Sequence, residues 1–192
     1  MLQLLSDERR ELLDLARRSL IEAVQHGHSP AVPLASGALA EPAGVFVTLR
    51  HRGRLRGCIG RVERLEPLAH AVAKCAGAAA LEDPRFDRVR IEEVPEVEIE
   101  ISLLSAMQRA RPEQIEAGRH GVMITRGYRR GLLLPQVARQ FGWSAERFLE
   151  ETCVKGGLER DAWKDEGTCI EVFTAEIFSE SDFREEPKAR AG

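Results

Sequence analysis

The sequence predicts an α+β fold made of two related halves, each with a β-hairpin, helices and a further strand. Near the amino terminus, apolar residues recur at helical spacing, at Leu12, Leu13, Ala16, Leu20 and Val24. Over 44–50 and 97–103 the period of the pattern changes to two, which is typical of strands. The order of hairpin, helix and strand then recurs in the second half. Antiparallel or mixed sheets packed against helices accommodate these observations.

The composition is that of a globular protein. Of 192 residues, 43% are hydrophobic and 31% are charged, and the formal net charge is -3. No overall positive field therefore attracts nucleic acid or anionic lipid. We find neither a signal peptide nor an apolar stretch of roughly 20 residues, so we expect a cytoplasmic protein without a membrane segment. The four cysteines form no CxxC pair, which fits a reducing compartment and gives no zinc motif.

The elements of the first half follow in order along the chain. Ser6 is expected to cap the first helix. Residues 25–44 contain three prolines and predict a long surface connection. A strand begins at Gly44, a turn lies at 51–53, and residues 55–62 return as the partner strand of a hairpin.

A second helix and a third strand complete the first half. Pro67 begins the helix, and its buried face is expected at Leu68, Val72, Cys75 and Ala79. The segment DPRF at 83–86 ends it. In the strand at 97–103, Val97, Ile99, Ile101 and Leu103 form the buried face.

The second half repeats this order. GVMIT at 121–125 corresponds to GVFVT at 44–48, and residues 132–135 return as a partner strand. Pro135 opens a helix, and a second helix begins at Ser144, with Phe148, Leu149, Thr152 and Cys153 on its inner side. One last strand, CIEVFTAEIF, is expected at 169–178.

This agreement predicts an internal duplication. The expected domain is 1–180, with possible lobes at about 1–105 and 106–180. Residues 181–192 are charged and almost free of aliphatic side chains, so they predict a flexible tail.

The second hairpin strand, with the sequence LRGCIG, carries the main candidate site. Strict alternation places Arg54, Arg56, Cys58 and Gly60 on one side and Leu55, Gly57 and Ile59 on the other. On a functional interpretation, Cys58 is a nucleophile or redox thiol, Arg56 binds an anionic group, and His51 is a possible base. Gly57 and Gly60 would let a ligand or a neighbouring backbone approach closely. The alternative makes Cys58 a small buried hydrophobic residue and the glycines a bulge or sheet-crossing point.

Further candidates lie outside this strand. Asp83 and Arg85 could form a ligand-binding corner, although an Asp-Pro turn that caps its own backbone is the alternative. Gln136 lies at a helix start, where N–H groups favour anions, and Lys155 lies near a helix end. The remaining cysteines are expected to be structural. The histidines of HGH at 26–28 lack neighbouring ligands, so no metal is predicted.

The first hairpin and the residues that follow it are rich in arginine, with Arg50, Arg52, Arg54, Arg56, Arg61 and Arg64. Such a density could contact nucleic-acid phosphates. The aromatic side chains expected of a single-strand platform are missing, however, since Phe46 is the one ring close by in sequence. A solvated or acid-paired hairpin is the alternative.

Several of these segments together resemble the AMMECR family. They are LRGCIG at 55–60, EPL at 66–68, DPRF at 83–86, GLLLPQVA at 131–138 and CVKGGL at 153–158, in matching order and spacing. The resemblance covers roughly residues 6–180. It implies an α+β fold of two related halves. It also implies membership of an AmmeMemoRadiSam system, in which such a protein, called protein A, accompanies a Memo-type and a radical-SAM protein. It implies no particular reaction.

The sequence thus leaves several functional hypotheses open. The first is an accessory component of a radical-SAM and Memo-type pathway that binds a small anionic ligand or a partner protein at the LRGCIG face. A nucleic-acid-binding regulatory module, a Cys58-dependent enzyme and a pure interaction scaffold are the alternatives. No cofactor is predicted.

Overall fold

The computed structural model describes residues 2–28, 32 and 35–183, and it has an α+β fold. In chain order, the helices and strands are α1 (Ser6–His26), β1 (Gly44–His51), β2 (Arg54–Arg61), α2 (Leu68–Leu81), β3 (Val97–Leu104), β4 (Gln108–Arg109), β5 (Gly121–Arg126), β6 (Arg129–Leu133), α3 (Pro135–Phe141), α4 (Ala145–Lys155), β7 (Cys169–Phe173) and β8 (Ala175–Ser179). Among the residues described, no helix is long and apolar enough to span a bilayer.

The chain divides into two compact units. The first unit consists of Met1–Leu103 together with Glu176–Gly192, and the second is Leu104–Ala175. One four-stranded sheet has the order β2-β1-β3-β8, and the other has the order β4-β7-β5-β6. The second unit is therefore continuous in sequence, whereas the first is completed by the last strand.

The first unit forms its core between its sheet and the helices α1 and α2. The expected buried positions of α2 and β3 are confirmed, and so are those of α1 except Val24, which is half-buried against the core. Val45, Val47 and Leu49 of β1 join them in one apolar cluster. Ser6 is the first helical residue rather than the cap. Glu8 instead accepts the N–H of Leu5 through Oε2 at 2.8 Å, so the cap depends on a carboxylate inside the first turn.

A β-bulge interrupts the first hairpin. Arg52 and Gly53 both have positive φ and form the two-residue turn that the sequence predicts at 51–53. Leu49 pairs with Gly57 but Arg50 pairs with Leu55, so Arg56 is the extra residue of β2. Strict alternation is therefore wrong for Arg54, which pairs with His51 on the side of Gly57 rather than that of Cys58, and for Leu55. Leu55 shares a side with Arg50, opposite to Gly57, and its side chain is exposed.

Glycines bring a helix against the hairpin in each unit. A Cβ built on Gly57 would lie 2.1 Å from the Ala79 carbonyl oxygen, near the end of α2. A Cβ on Gly131 of β6 would lie 2.0 Å from the Thr152 carbonyl oxygen of α4. Both contacts are closer than any side chain allows, so the backbones themselves touch.

The second unit packs α3 and α4 with its own sheet. The helix predicted to begin at Ser144 is α4, and Ser144 is its cap, because its Oγ accepts the N–H of Arg147 at 3.2 Å. The expected inner residues of α4 are buried, and three of them, Phe148, Leu149 and Cys153, belong to the apolar core cluster of the unit. The two-residue strand β4, which was not predicted from the sequence, forms one edge of the sheet of the second unit.

The last predicted strand is in fact two. Residues 169–178 break at Thr174 into β7, which lies in the sheet of the second unit, and β8, which lies in that of the first. Phe178 of β8 is buried in the core of the first unit. A 3-10 turn, Glu180–Phe183, follows, and the rest of the predicted tail lies outside the described residues.

The two sheets share part of their strand order. In each, the first strand of the hairpin lies between its partner and a later strand, as β2-β1-β3 and β6-β5-β7. A duplication would produce this order, but order alone does not establish one. The duplication stays a prediction.

Candidate functional site

The LRGCIG segment forms the edge strand β2 of the first sheet. An edge strand has outward N–H and C=O groups that need partners outside the sheet. Asp83 and Arg85 supply these partners for the backbone of Cys58, and the Arg56 side chain also binds the segment 83–93. The candidate site is therefore built where this segment lies along the edge of β2.

Cys58 is half-buried and contacts side chains on both sides. Its N–H donates to Asp83 Oδ2 at 2.8 Å, and its carbonyl oxygen accepts from Arg85 Nη2 at 3.3 Å. Across the hairpin, Thr48 Oγ1 lies 3.4 Å from Cys58 Sγ. The segment 83–93 thus holds the backbone of Cys58, and a hydroxyl faces its sulfur.

Asp83 organises this corner. Its side chain is 3% exposed, and it accepts from Arg85 Nε at 2.9 Å, Arg85 Nη2 at 2.7 Å and the Arg85 N–H at 3.1 Å. The hydrogen bonds from the Arg85 side chain lower the pKa of Asp83 to about 2, although burial acts in the opposite direction. The Asp83 side chain therefore does cap its own turn, as the structural alternative expects, and it also fixes the plane of the guanidinium.

Arg85 is the guanidinium next to the Cys58 thiol. The pKa of Arg85 is raised chiefly by Asp83, and a hydrogen bond to the Cys58 side chain acts in the same direction. Half of the Arg85 side chain, 51%, remains exposed, and its guanidinium carbon lies 5.5 Å from the centre of the Phe86 ring. A fixed and accessible cation next to a sulfur is an arrangement that can receive an anion.

Arg56, which strict alternation placed beside Cys58, has different partners. It donates to both carboxylate oxygens of Glu93, from Nε at 2.8 Å and from Nη2 at 3.0 Å. It also donates to the carbonyl oxygens of Asp87 at 2.7 Å and Arg88 at 3.2 Å. The bidentate hydrogen bond to Arg56 lowers the pKa of Glu93 to about 2. Arg56 therefore fastens the segment 83–93 to the strand.

The chain itself fills the space over the two candidate glycines. Gly57 faces the end of α2, as described above. A Cβ on Gly60 would lie 2.2 Å from the Phe46 ring and 2.5 Å from the Val45 carbonyl oxygen. A neighbouring backbone therefore lies close to Gly57, and the Phe46 side chain occupies the space over Gly60.

His51 and Arg54 lie at the turn of the hairpin, away from the sulfur. They pair with each other, whereas Cys58 pairs with Thr48, three residues or about 10 Å further along β1. His51 Nε2 lies 3.3 Å from Glu96 Oε2. The structure does not bring His51 next to Cys58, so a base for this thiol would have to be another group.

Most of the hairpin arginines have partners of their own. Ion pairs join Arg50 to Glu100, Arg52 to Glu96, Arg56 to Glu93 and Arg61 to Glu66. Arg64 donates to the Pro42 carbonyl oxygen. Arg54 is exposed. This pairing supports an acid-paired hairpin over a surface for nucleic-acid phosphates.

The other candidates lie apart from this corner. Gln136 is half-buried in the first turn of α3, and Lys155 is the exposed last residue of α4, both in the second unit. Burial raises the pKa of Cys75 to about 11 and also raises that of Cys153. Within the described part of the chain, no three His, Cys, Asp or Glu residues are grouped as metal ligands.

Thr48 and Glu93 were not among the site residues predicted from the sequence. If the turn register were continued without a bulge, Cys58 would pair with Val47, so the partner Thr48 depends on the extra residue at Arg56. Glu93 belongs to a segment without periodicity, and no local pattern indicates that it reaches back to β2. The bulge had one sequence signal, since glycines in a strand favour irregular pairing.

The chain is similar to known proteins along most of its length. The model of the AMMECR1 family matches residues 13–178. Protein PF1979 of Pyrococcus furiosus is 44% identical over 181 residues, covering 88% of this chain and 86% of the relative. A protein of Methanothermobacter thermautotrophicus is 40% identical over 182 residues, covering 91% of this chain and 95% of the relative.

A solved structure gives the same result. The crystal structure of uncharacterized protein PH0010 from Pyrococcus horikoshii is similar with a TM-score of 0.84 and 41% sequence identity, covering 88% of this chain and 90% of that chain. It confirms the α+β fold. Because the family model and relatives at this level of identity span most of the sequence, the chain belongs to the AMMECR1 family.

Proposed function

We propose that the protein binds a small anionic molecule at the LRGCIG surface, as an accessory component of a pathway that also uses a Memo-type protein and a radical-SAM protein. The arrangement of Arg85 carries the ligand part of this proposal. Its guanidinium is fixed by the buried carboxylate of Asp83, lies beside the Cys58 thiol, and is still half exposed. A preorganised and accessible guanidinium attracts carboxylates and phosphates and can donate charge-assisted hydrogen bonds to their oxygens.

Exposure favours this role for Arg85 over Arg56. The four hydrogen bonds of Arg56 are made to the carboxylate of Glu93 and to two backbone carbonyl groups, and its side chain is 16% exposed. Arg85 also has one carboxylate partner, Asp83, and it donates to the Cys58 carbonyl group, but its exposed fraction is three times that of Arg56. An incoming anion would therefore meet Arg85, with the sulfur of Cys58 close to it.

The anion-binding property can be measured through the thiol itself. We expect iodoacetate, which is an anion, to modify Cys58 several-fold faster relative to neutral iodoacetamide than it modifies Cys169, because an exposed guanidinium attracts the carboxylate. Cys169 is also half-buried and serves as the internal reference. The rate constants are obtained by mass spectrometry of peptides after short exposures at pH 7.

The matched variant is Arg85→Gln, which keeps the size of the side chain and removes its charge. The preference of Cys58 for iodoacetate should disappear in this variant, and inorganic phosphate should slow the labelling of Cys58 in the wild type alone. Equal preferences at Cys58 in the wild type and in Arg85→Gln would reject the proposal. A Cys58 that neither reagent reaches in the folded protein would reject it as well.

A Cys58-dependent enzyme is the second candidate, and one observation favours it. Thr48 Oγ1 and the Arg85 side chain both approach the Cys58 sulfur, and such donors stabilise a negatively charged sulfur. An enzyme of this kind would form a covalent adduct with its substrate. Loss of pathway output in Cys58→Ser, in a protein whose Phe86 and Asp87 amide NMR resonances still shift with phosphate as in the wild type, would distinguish it from a binding role alone.

The pathway part of the proposal follows from the family resemblance and has its own test. Co-purification of the protein with the Memo-type protein at micromolar concentration would support a direct complex. The pathway assignment is wrong if two results are found together. Neither the Memo-type nor the radical-SAM protein binds at that concentration, and deleting their genes does not alter the phenotype that deletion of this gene produces. That result would leave the anion site to be judged by the labelling experiment.

A further inference from the structure

A second surface feature of the first unit is a cleft of about 260 Å³ between the ends of α1, α2 and β2. Neither Cys58 nor Arg85 lines it. Pockets for drug-sized ligands have volumes of roughly 300–1,000 Å³, so this cleft suits a smaller molecule. Its residues differ in charge from one end to the other.

Two cations meet at one end of the cleft. Arg61, the last residue of β2, and Lys74 of α2 both line it. Both bind the carboxylate of Glu66, Arg61 from Nη1 at 2.6 Å and Lys74 from Nζ at 2.5 Å. One carboxylate shared by two cations leaves one positive charge in excess. The Lys74 side chain is 57% exposed, so its ammonium group has room for a further acceptor.

The other end of the cleft is electronegative. α1 ends at His26 and α2 ends at Leu81, and the residues from these two ends that line the cleft are Gly27, His28, Leu81 and Glu82. The last carbonyl groups of a helix carry a partial negative charge, which favours a cation near them. The exposed carboxylate of Glu82 adds a full negative charge at the same end.

Small side chains separate the two ends. Gly77 and Ala78 lie between Lys74 and Glu82 along α2, and Ala23 and Leu81 add apolar surface to the cleft. A molecule that carries a carboxylate at one end and an ammonium group at the other matches this order of charges. We propose that the cleft binds a small zwitterion, such as a free amino acid.

The proposal can be tested with alanine and its two blocked derivatives. The amide resonances of residues along α2 are followed by NMR while alanine is added up to about 10 mM. We expect a saturable shift of these resonances with alanine. N-acetylalanine lacks the ammonium group and alaninamide lacks the carboxylate, and we expect each to bind at least about tenfold more weakly.

Two variants assign the ends of the cleft. Lys74→Gln should weaken alanine binding several-fold and reduce its advantage over alaninamide. Glu82→Gln should reduce the advantage in affinity that alanine has over N-acetylalanine. Lys164→Gln, which changes a lysine of the second unit that is 56% exposed, is the matched control and should bind alanine as the wild type does.

Three results would overturn the proposal. They are the absence of any saturable shift with alanine, equal binding of alanine and both derivatives, and a shift that Lys74→Gln and Glu82→Gln leave unchanged. The Cys58 labelling experiment uses another surface, so its outcome is independent of these results.

Discussion

Asp83 does more for the candidate site than any other single residue. One buried carboxylate caps the turn that follows α2, binds the edge strand at Cys58, and fixes the guanidinium of Arg85. Removing it would leave several donors without their acceptor, which costs about 1–3 kcal/mol for a buried group. The stability of the first unit and the geometry of the site therefore depend on the same side chain.

We expect Asp83→Asn to lower the free energy of unfolding of the first unit by about 1–3 kcal/mol, because an amide cannot replace a carboxylate that binds a guanidinium. Both tryptophans lie in the second unit, so fluorescence reports on that unit. Urea unfolding of the first unit is therefore followed by hydrogen exchange of β1 and α2 amides. Asp87→Asn, an exposed change in the same segment, is the control. An equal effect of the two variants would contradict the role given to Asp83.

Acid should weaken the same corner. The pKa of Asp83 is lowered from 3.8 to about 2 by Arg85, and that of Glu93 is lowered from 4.5 to about 2 by Arg56. Between roughly pH 5 and pH 2 the unfolded chain binds more protons at these groups than the folded chain does. The stabilisation is thus complete at pH 7, and the free energy of unfolding of the first unit should fall as the pH is lowered through this window.

The measurement is the urea midpoint of the first unit at pH 7, 4.5 and 3. The double variant Asp83→Asn, Glu93→Gln should begin lower at pH 7 and decline less steeply. If the wild type and the double variant decline in parallel, these two carboxylates do not set the acid sensitivity.

At the scale of elements, two hairpins depend on direct contact between a helix and a strand backbone. The contact lies at Gly57 for α2 and at Gly131 for α4. In each case the obstacle to a larger residue is a backbone carbonyl, which cannot rotate away as a flexible side chain would. Overpacking at such points forces backbone shifts that cost about 1–3 kcal/mol.

Gly57→Ala should therefore destabilise the first unit, and Gly131→Ala the second, each by about 1–3 kcal/mol. Gly167→Ala is the control, since a Cβ there would meet no atom within 4 Å. Hydrogen exchange reports on the first unit and tryptophan fluorescence on the second. Stabilities of Gly57→Ala and Gly131→Ala within error of the control would show that the helices can move away without cost.

The elements also show why the site was only partly predictable from the sequence. Periodicity identified α1, the first hairpin, α2, β3 and α4, because burial repeats along each of them with a fixed spacing. The bulge at Arg56 changes that spacing by one residue, so Arg56 does not lie beside Cys58 as alternation predicted. The guanidinium beside Cys58 is that of Arg85, which comes from another segment. The partners that come from 83–93 are set by tertiary contacts, for which the local sequence has no periodic signal.

At the scale of the whole molecule, the sheet and core of the first unit are completed by residues that follow the second unit in the sequence. β8 joins its sheet, and Arg17 of α1 forms an ion pair with Glu180, which also accepts the N–H of Ile99 at 3.0 Å. Arg17 further donates to the Val94 and Val97 carbonyl oxygens. The sequence pattern showed 169–178 as one strand, since both parts alternate in the same way, and only the pairing of each part separates them.

A chain that ends at Ala175 should retain the second unit and lose cooperative unfolding of the first. The physical reason is that the truncation removes Phe178 from the core and Glu180 from Arg17. Tryptophan fluorescence should show a normal transition, while hydrogen exchange in α1 and α2 becomes fast. The comparison is a chain that ends at Phe183, which keeps both residues. Equal protection of α1 and α2 in the two chains would contradict the prediction.

The late position of β8 has a consequence for how the protein is made. A ribosome that adds roughly 5–20 residues per second completes Met1–Leu103 several seconds before it reaches Glu176. During that interval the nascent first unit lacks the edge strand β8 and the buried ring of Phe178. Leu104–Ala175 can meanwhile mature on its own. The order of maturation is therefore the reverse of the order of synthesis, and chaperone contact during translation should concentrate on the amino-terminal part.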